Sequence, residues 1–216
     1  MHQQLDCDIL IVGGGINGAG IARDAAGRGL SVVLCEKDDL ASHTSSASTK
    51  LIHGGLRYLE QYDFSLVRKA LIEREVLMRS APHLIRPLRF IMPHDRGQRP
   101  GWMIRAGMFI YDHLAKRELL PGSHGIKLRA HVAGAPLKNT FVKGYAYSDG
   151  WVDDARLVVL NALDAAEKGA AILTRTACVA VERPGDHWHA TLRKAYDETV
   201  EVRARSLINA TGPWAA

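Results

Sequence analysis

Hydrophobic positions near the N-terminus come in short blocks separated by glycines. Residues 9–12 form a continuous apolar run ended by three glycines, which is typical of a strand buried on both faces. Residues 16–28 are small or apolar with a sparse polar face, as in a closely packed crossover helix, and Gly29 can end that helix. LSVVLCEK, residues 30–37, predicts a second strand. Together these elements predict a βαβ unit and a mostly parallel sheet.

Helical spacing of apolar residues recurs in three later segments. These are residues 63–80, 102–116 and 154–168. An aspartate that can cap a helix stands at the start of the first and of the third. Within the first, Glu75 and Arg79 are spaced to form a favourable i,i+4 ion pair.

The remaining sequence alternates between strand-like and irregular segments. Residues 171–182 and 187–193 have the pattern of two strands in a hairpin. Residues 88–150 are rich in Pro, Gly and His, and we interpret them as an inserted segment. The predicted organisation is therefore a nucleotide-binding domain made of residues 1–87 and 151–216, interrupted by that segment.

The composition is typical of a folded, mildly basic protein. Of 216 residues, 47% are hydrophobic, which is ample for a buried core, and the formal net charge is +5. Basic residues are interrupted by acidic ones, which argues against nucleic-acid binding. No signal peptide is recognisable, and no apolar run approaches the roughly 20 residues of a membrane-spanning helix. The three cysteines include no C-x-x-C pair, so we expect free thiols and a cytoplasmic protein.

The stretch GGGING carries the clearest chemical signal. Gly13, Gly15 and Gly18 give G-x-G-x-x-G between a predicted strand and a predicted helix, the context in which this motif binds a pyrophosphate. Glu36, at the end of the second strand, can accept a hydrogen bond from a ribose 2′-hydroxyl, which argues against NADP. The alternative is that the glycines only make a turn and Glu36 is a solvated strand end. The pattern predicts dinucleotide binding without separating NAD from FAD.

A long polar loop follows where simple NAD-binding domains usually continue into a helix. SSASTKLIHGGLRYLE, residues 45–60, carries hydroxyl groups that could bond a pyrophosphate or a ribityl chain. Gly54 and Gly55 could bring backbone against a flat ring, and Gly212 in LINATGPW could approach the same dinucleotide. A serine-rich surface loop is the alternative.

Three motifs together resemble one enzyme family. VGGGINGAGIARDAAGRG, SSASTKLIHGGLRYLE and YSDGWVDDARLV are similar to the N-terminal half of the aerobic, respiratory FAD-dependent sn-glycerol-3-phosphate dehydrogenases, and NATGPW also fits. The resemblance implies an α/β, Rossmann-like FAD-binding domain of the glutathione-reductase type, with part of a substrate or cap region. It also implies oxidation of glycerol 3-phosphate to dihydroxyacetone phosphate, with hydride passing to flavin N5 and electrons onward to a membrane quinone.

Individual residues acquire roles from this resemblance. Arg57 and Tyr58 would bind the substrate phosphate, which suits a guanidinium and a phenol, although a surface ion pair and simple packing are the alternatives. His53, beside the glycine pair, is the candidate base for the substrate hydroxyl, and a structural histidine is the alternative. The remaining histidines form no metal-binding motif, so no metal site is expected. The implied cofactor contacts are Gly13, Gly15, Asn17, Gly18, Glu36, Lys37, Ser45, Ser46, Ser48, Thr49, Lys50, Leu51, Gly54, Gly55, Cys178 and Gly212.

Residues 99–120 form the best candidate for a peripheral membrane contact. Basic residues bordering an aromatic-rich helix suit an anionic interface at the inner face of the cytoplasmic membrane, and a core helix is the equally good alternative. The apolar residues are Trp102, Met103, Phe109, Ile110 and Leu114, and the basic ones are Arg99, Arg105, Lys116 and Arg117.

The family's chains are more than twice as long as this one, and further substrate-binding residues would lie beyond Ala216. We therefore expect this chain alone to bind FAD weakly and to turn over little, because an incomplete flavin pocket leaves polar groups and apolar surface exposed. The competing hypotheses are a related FAD-dependent amine or amino-acid oxidase and a non-catalytic, cofactor-binding fragment.

Overall fold

The computed structural model describes residues 3–95, 97–194 and 197–215. These divide into a first unit, Met1–Thr49 with Asp153–Ala216, and a second unit, Lys50–Val152. The elements in chain order are β1 (Gln3–Val12), α1 (Ile16–Gly27), β2 (Val32–Cys35), β3 (Leu51–Ile52), α2 (Phe64–Ser80), β4 (Ile85–His94), α3 (Gly101–His113), β5 (His124–Lys127), β6 (Lys143–Val152), α4 (Asp154–Glu167), β7 (Ala171–Leu173), β8 (Thr176–Glu182), β9 (Trp188–Lys194) and β10 (Thr199–Asn209).

The described strands of the first unit form a six-stranded sheet in the order β7-β2-β1-β10-β9-β8. β7, β2, β1 and β10 pair in parallel, and β9 and β8 continue the sheet antiparallel. All four residues of β2 are buried, as its continuous apolar run predicts. Alanines of α1 and α4 pack on one face of the sheet, so the helices approach closely. The predicted α/β class with a mostly parallel sheet is confirmed.

The predicted single strand over residues 171–182 is wrong, because the chain turns between β7 and β8. Arg175 has a positive φ of 50°, and its N–H donates to the carbonyl oxygen of Asp38 at 2.7 Å. The next N–H, that of Thr176, donates to the carbonyl oxygen of Glu36 at 2.8 Å. At these bonds the chain leaves β7, which pairs in parallel with β2, and enters β8, which pairs antiparallel with β9.

The second unit is built around β6, which pairs antiparallel with β3, β4 and β5. The predicted cap of α2 is confirmed, since the Asp63 side chain accepts a hydrogen bond from the Leu66 N–H at 3.0 Å. α3 ends at His113, three residues before the predicted end. Within the described residues no helix is both long enough and apolar enough to cross a membrane.

The compact units do not follow the predicted domain boundaries. The sequence pattern groups residues 1–87 with 151–216, whereas residues 50–87 lie in the second unit. The reason is strand pairing, because β3 and β4 both bond to β6 across many intervening residues. The assignment of cofactor binding to one part of the chain and of substrate or membrane contacts to another stays a prediction.

The predicted ion pair between Glu75 and Arg79 is wrong. Glu75 is only 3% exposed and bonds to Arg74, its neighbour in α2. Arg79 lies on the exposed side of the helix and pairs with Glu118 at 2.8 Å. The two side chains therefore take opposite directions, one into the core and one into solvent.

The three cysteines are free thiols, as expected. Burial raises the pKa of Cys7 to about 11 and that of Cys35 to about 12. Burial also raises the pKa of Cys178. All three are therefore uncharged at neutral pH and act as small, weakly polar side chains.

Candidate functional site

The carboxyl ends of the parallel strands meet at one edge of the first unit's sheet. β1 leads there into Gly13, β2 into Glu36 and β10 into residues 210–214. Ligands of open α/β sheets bind outside the carboxyl ends of the strands. The segments singled out in the sequence thus follow strands that end at the edge where a nucleotide is expected.

Two cavities open at this edge and share Gly13, Glu36, His43, Thr211 and Trp214 in their linings, and we call them together the nucleotide groove. Many of the predicted cofactor residues of the first unit line it. Gly13, Gly15, Asn17, Glu36, Ser45 and Gly212 line the first cavity, and Gly13, Glu36, Lys37 and Cys178 line the second.

Two glycines of the G-x-G-x-x-G motif are required because neighbouring backbone atoms lie too close to them for a side chain to fit. Gly13 has a φ of +115°, and a Cβ there would lie 2.5 Å from the carbonyl oxygen of Ala210. At Gly18 a Cβ would collide with the carbonyl oxygen of Gly13, so the glycine allows α1 to pack on the end of β1. Gly18 acts in packing and does not line the groove.

Glu36 is buried and held by both of its carboxylate oxygens. Oε2 accepts a hydrogen bond from the Gly14 N–H at 2.7 Å, and Oε1 accepts one from the Asp38 N–H at 2.9 Å. This geometry contradicts the alternative of a solvated strand end, since Glu36 is only 8% exposed. Each oxygen keeps a further lone pair that can accept a ribose hydroxyl.

Ser45, in the loop after β2, lies beside the first residue of α1. Its Oγ accepts a hydrogen bond from the Ile16 N–H at 2.9 Å, and a hydroxyl that accepts can still donate its own hydrogen. The positive end of the helix dipole lies at the same place. This corner of the groove can therefore bind an anion such as a diphosphate.

The other predicted hydroxyl residues lie outside the linings of the groove. Ser46 Oγ donates to the carbonyl oxygen of His43 at 3.2 Å, and Ser48 Oγ donates to Asp154 Oδ2 at 2.7 Å. Ser48 thereby ties the loop to the first turn of α4. Cofactor contacts by Ser46, Ser48 and Thr49 stay predictions.

Sequence reasoning missed His43 and Trp214, which line both cavities. Their ring centroids are 5.5 Å apart, and the Lys37 ammonium lies 5.6 Å from the centroid of the indole. Both residues are close in sequence to predicted ones, since His43 precedes Ser45 and Trp214 follows Gly212. That proximity was the one available signal.

Glu36, Asp38 and His43 place potential metal-ligand atoms within 4.8 Å of one another. Hydrogen bonds account for this cluster, because Glu36 accepts from two backbone N–H groups and Asp38 Oδ2 lies 2.7 Å from His43 Nε2. The expectation of no metal site stays a prediction.

The second unit carries the predicted catalytic and substrate residues on residues 53–58, which we call the 53–58 turn. Gly55 adopts left-handed backbone angles and is followed by a 3-10 helix, Leu56–Gln61. The side chains of His53, Arg57 and Tyr58 are exposed and accessible to a ligand. Lys50 and Leu51, the last predicted diphosphate contacts, also belong to this unit.

The hydrogen bond of His53 bears on its predicted role as a base. Its Nδ1 accepts from the Gly55 N–H at 3.0 Å, so a neutral imidazole carries its proton on Nε2. In this conformation neither nitrogen is ready to take a proton from a substrate. The geometry favours the alternative of a structural histidine, and the catalytic role stays a prediction.

The sequence matches known flavoproteins over nearly its whole length. The model of the family described as "DAO: FAD dependent oxidoreductase" matches residues 8–216. Glycerol-3-phosphate dehydrogenase of Pseudomonas tolaasii is 61% identical over 209 residues, which are 97% of this chain and 40% of that protein. D-erythritol 1-phosphate dehydrogenase of Brucella abortus is 58% identical over 215 residues, which are 99% of this chain and 43% of that protein. The chain thus spans about two fifths of the length of these curated relatives.

Solved structures show the same fold. Glycerol-3-phosphate dehydrogenase from Bacillus halodurans, complexed with FAD, superposes with a TM-score of 0.72 at 27% identity, covering 97% of this chain and 35% of that one. Glycine oxidase from Geobacillus kaustophilus superposes with a TM-score of 0.74 at 21% identity, covering 98% and 57%. The second likeness shows the fold alone.

Proposed function

We propose, since this chain belongs to the FAD dependent oxidoreductase family, that it serves in the oxidation of glycerol 3-phosphate to dihydroxyacetone phosphate. FAD is the cofactor that the family requires, which agrees with the resemblance. The observation that carries the proposal is the 61% identity with a glycerol-3-phosphate dehydrogenase across 97% of this chain. The nucleotide groove, with Glu36 and the start of α1, fits the adenosine diphosphate half of FAD.

Each part of the chain has a distinct task in this proposal. A bound flavin supplies the acceptor for the hydride of the substrate's secondary alcohol. Glu36 would accept the ribose hydroxyls, while Ser45 and the first N–H groups of α1 would bind the diphosphate. Arg57 and Tyr58 would bind the substrate phosphate with charge-assisted hydrogen bonds.

D-erythritol 1-phosphate is a second candidate substrate. The relative named for it is 58% identical to this chain, so identity alone does not separate the two substrates. Both are phosphate monoesters of a polyol, and both suit a guanidinium beside a phenol. Amino acids have less support, because the amino-acid-oxidising neighbour glycine oxidase shares only 21% identity.

Rates of anaerobic flavin reduction by the FAD-loaded protein separate these substrates. We expect glycerol 3-phosphate to reduce the flavin fastest, D-erythritol 1-phosphate more slowly, and glycine not at all. Faster reduction by D-erythritol 1-phosphate would transfer the proposal to that substrate. Reduction by glycine alone would contradict it.

We further propose that the electrons leave to a membrane quinone and that α3 contacts the membrane. Trp102 is 72% exposed and Phe109 is 59% exposed, and Met103 and Ile110 are exposed beside them. Met108, on the other side of the helix, is buried, so α3 packs inward with one face and presents apolar residues outward with the other.

Two residues of the predicted membrane contact belong to the interior instead. Leu114 packs against the buried cluster that contains Val67 and Leu71. Arg117 pairs with Asp112 while both side chains are largely buried. The proposed contact is therefore limited to the exposed face of α3 and to the exposed cations near its ends.

Liposome flotation tests this contact through the double variant Trp102→Ser/Phe109→Ser. We expect binding to anionic vesicles to weaken about tenfold or more, because two large apolar side chains no longer enter the interface. Val159→Ser/Leu163→Ser, a matched change of exposed apolar residues on α4, should leave flotation unchanged. Equal losses in both double variants would contradict the assignment.

A further inference from the structure

A buried hydroxyl holds the backbone of the 53–58 turn. Tyr111 in α3 is 2% exposed, and its hydroxyl accepts a hydrogen bond from the Gly54 N–H at 2.8 Å. The same hydroxyl donates to Asp149 Oδ1 in β6 at 2.8 Å. Burial, and next the charge of Asp149, raise the pKa of Tyr111, so the hydroxyl stays protonated. Both hydrogen bonds therefore have fixed directions.

Asp149 is itself held in place by Arg74. The guanidinium donates to Asp149 Oδ1 at 2.5 Å and to Glu75 Oε1 at 3.2 Å. Glu75 Oε2 accepts from the backbone N–H groups of Glu118 and Leu119. The network thus joins α2, α3, β6 and the segment after α3 to one backbone N–H of the turn.

Gly54 packs directly against the side chains of Leu71 and Tyr111. A Cβ at this position would be 2.5 Å from Leu71 Cδ2 and 2.8 Å from the Tyr111 hydroxyl oxygen. Gly54 is buried, so its backbone occupies the space that a side chain would need. The distance between the turn and α3 is therefore set by the Tyr111 hydroxyl.

A displacement of Gly54 is transmitted through Gly55 to Tyr58 and Arg57. Gly55 has a φ of +71°, and its carbonyl oxygen accepts from the Tyr58 N–H at 2.8 Å. The ring of Tyr58 lies against Gly55, where a Cβ would collide with it. A shift of Gly54 therefore moves Tyr58, and with it the adjacent Arg57.

We infer that Tyr111 is a positioning residue for the substrate phosphate. It acts through Gly54 and Gly55 on the direction of Arg57 and Tyr58, and it is itself oriented by Asp149 and Arg74. The inference rests on the proposed function, which assigns the phosphate to Arg57 and Tyr58.

Tyr111→Phe tests the inference, because it removes one oxygen and leaves the Gly54 N–H without this partner. In the FAD-loaded protein we expect KM for glycerol 3-phosphate and the inhibition constant of inorganic phosphate to rise together by about tenfold, with a smaller change in kcat. Tyr145→Phe is the matched control, because the Tyr145 hydroxyl donates to the Gly101 carbonyl oxygen at 3.1 Å, away from the turn. Both constants should be unchanged in that variant.

A double-mutant cycle with Arg57→Ala separates positioning from general destabilisation. Positioning predicts that Tyr111→Phe has a clearly smaller effect once Arg57 is absent, because only the contact made by Tyr58 is then left to disturb, whereas a general structural defect would act equally in both backgrounds. If Arg57→Ala alone changes neither constant, the proposed function of the turn fails, and this inference fails with it. If Arg57→Ala raises both constants while Tyr111→Phe raises neither, or raises them equally in both backgrounds, the inference alone is overturned.

Hydrogen exchange in the unsubstituted protein provides a test that does not depend on the folding of any variant. The Gly54 amide should exchange about as slowly as the amides of β6, because it is buried and bonded to Tyr111. Rapid exchange at Gly54 would overturn the inference.

Discussion

Replacement of Arg74 by methionine is expected to lower the free energy of unfolding by about 3–5 kcal/mol. The guanidinium is 2% exposed and is the cation bonded to two buried carboxylates, Asp149 and Glu75. Methionine keeps the side chain's bulk but leaves both carboxylates buried without this counter-charge. Urea denaturation followed by tryptophan fluorescence measures the change.

Arg79→Met is the matched control for this prediction. Arg79 lies in the same helix and pairs with Glu118, but its side chain is 55% exposed. Exposed ion pairs contribute about 0–1 kcal/mol, so this variant should stay close to the unsubstituted protein. Equal destabilisation by the two substitutions would show that the buried network does not stabilise the second unit as described.

Arg57→Ala is expected to lower kcat/KM for glycerol 3-phosphate by about 100-fold or more. Two charge-assisted hydrogen bonds to the phosphate would be lost, and bonds to charged groups contribute roughly 1.5–3 kcal/mol each. Because Arg57 is exposed, its removal should leave the unfolding midpoint nearly unchanged. Steady-state kinetics with an artificial electron acceptor measures the loss.

Two further variants control for charge alone. Arg57→Lys keeps the positive charge and loses the two parallel bonds, so we expect only part of the activity to remain. Arg68→Ala removes another exposed cation of the second unit, on α2, and should leave kcat/KM unchanged. A loss in Arg68→Ala as large as that in Arg57→Ala would indicate general electrostatic attraction instead of a phosphate contact.

The parts of the fold that the sequence predicted are those encoded locally. The apolar run before Gly13, the glycine spacing and the small residues of α1 lie within one short segment, and their consequences are local backbone geometry. The cap of α2 by Asp63 is local for the same reason. These elements are confirmed.

The parts of the structure that the sequence did not predict depend on contacts between distant residues. The division into units follows from β3 and β4 pairing with β6, and no local pattern selects those partners. Glu75 and Arg79 have a spacing that suits an exposed helix face, yet Glu75 points inward because Arg74 and two backbone N–H groups surround it there. Helix periodicity alone does not distinguish these directions.

In the candidate site, too, the sequence predicted features that are encoded locally and missed those that depend on contacts between distant residues. The glycine motif with its acidic residue indicated Glu36 as a ligand group, and the polar loop that follows indicated Ser45; both line the nucleotide groove. The direction of a short hydroxyl side chain depends on its neighbours, so Ser48 could not be foreseen to bond Asp154. His43 and Trp214 are far apart in sequence, and their rings meet through the 3-10 helix, Gly212–Trp214, that follows β10.

Whether glycerol 3-phosphate reduces the flavin of this protein is read from the absorption spectrum of the FAD-loaded protein, recorded anaerobically before and after the substrate is added. We expect the oxidised-flavin band to disappear when glycerol 3-phosphate is added, because a bound flavin would be the acceptor for the hydride of the alcohol. A band that persists with glycerol 3-phosphate, yet disappears with dithionite, would show a bound and reducible flavin that this substrate does not reduce, and would contradict the account.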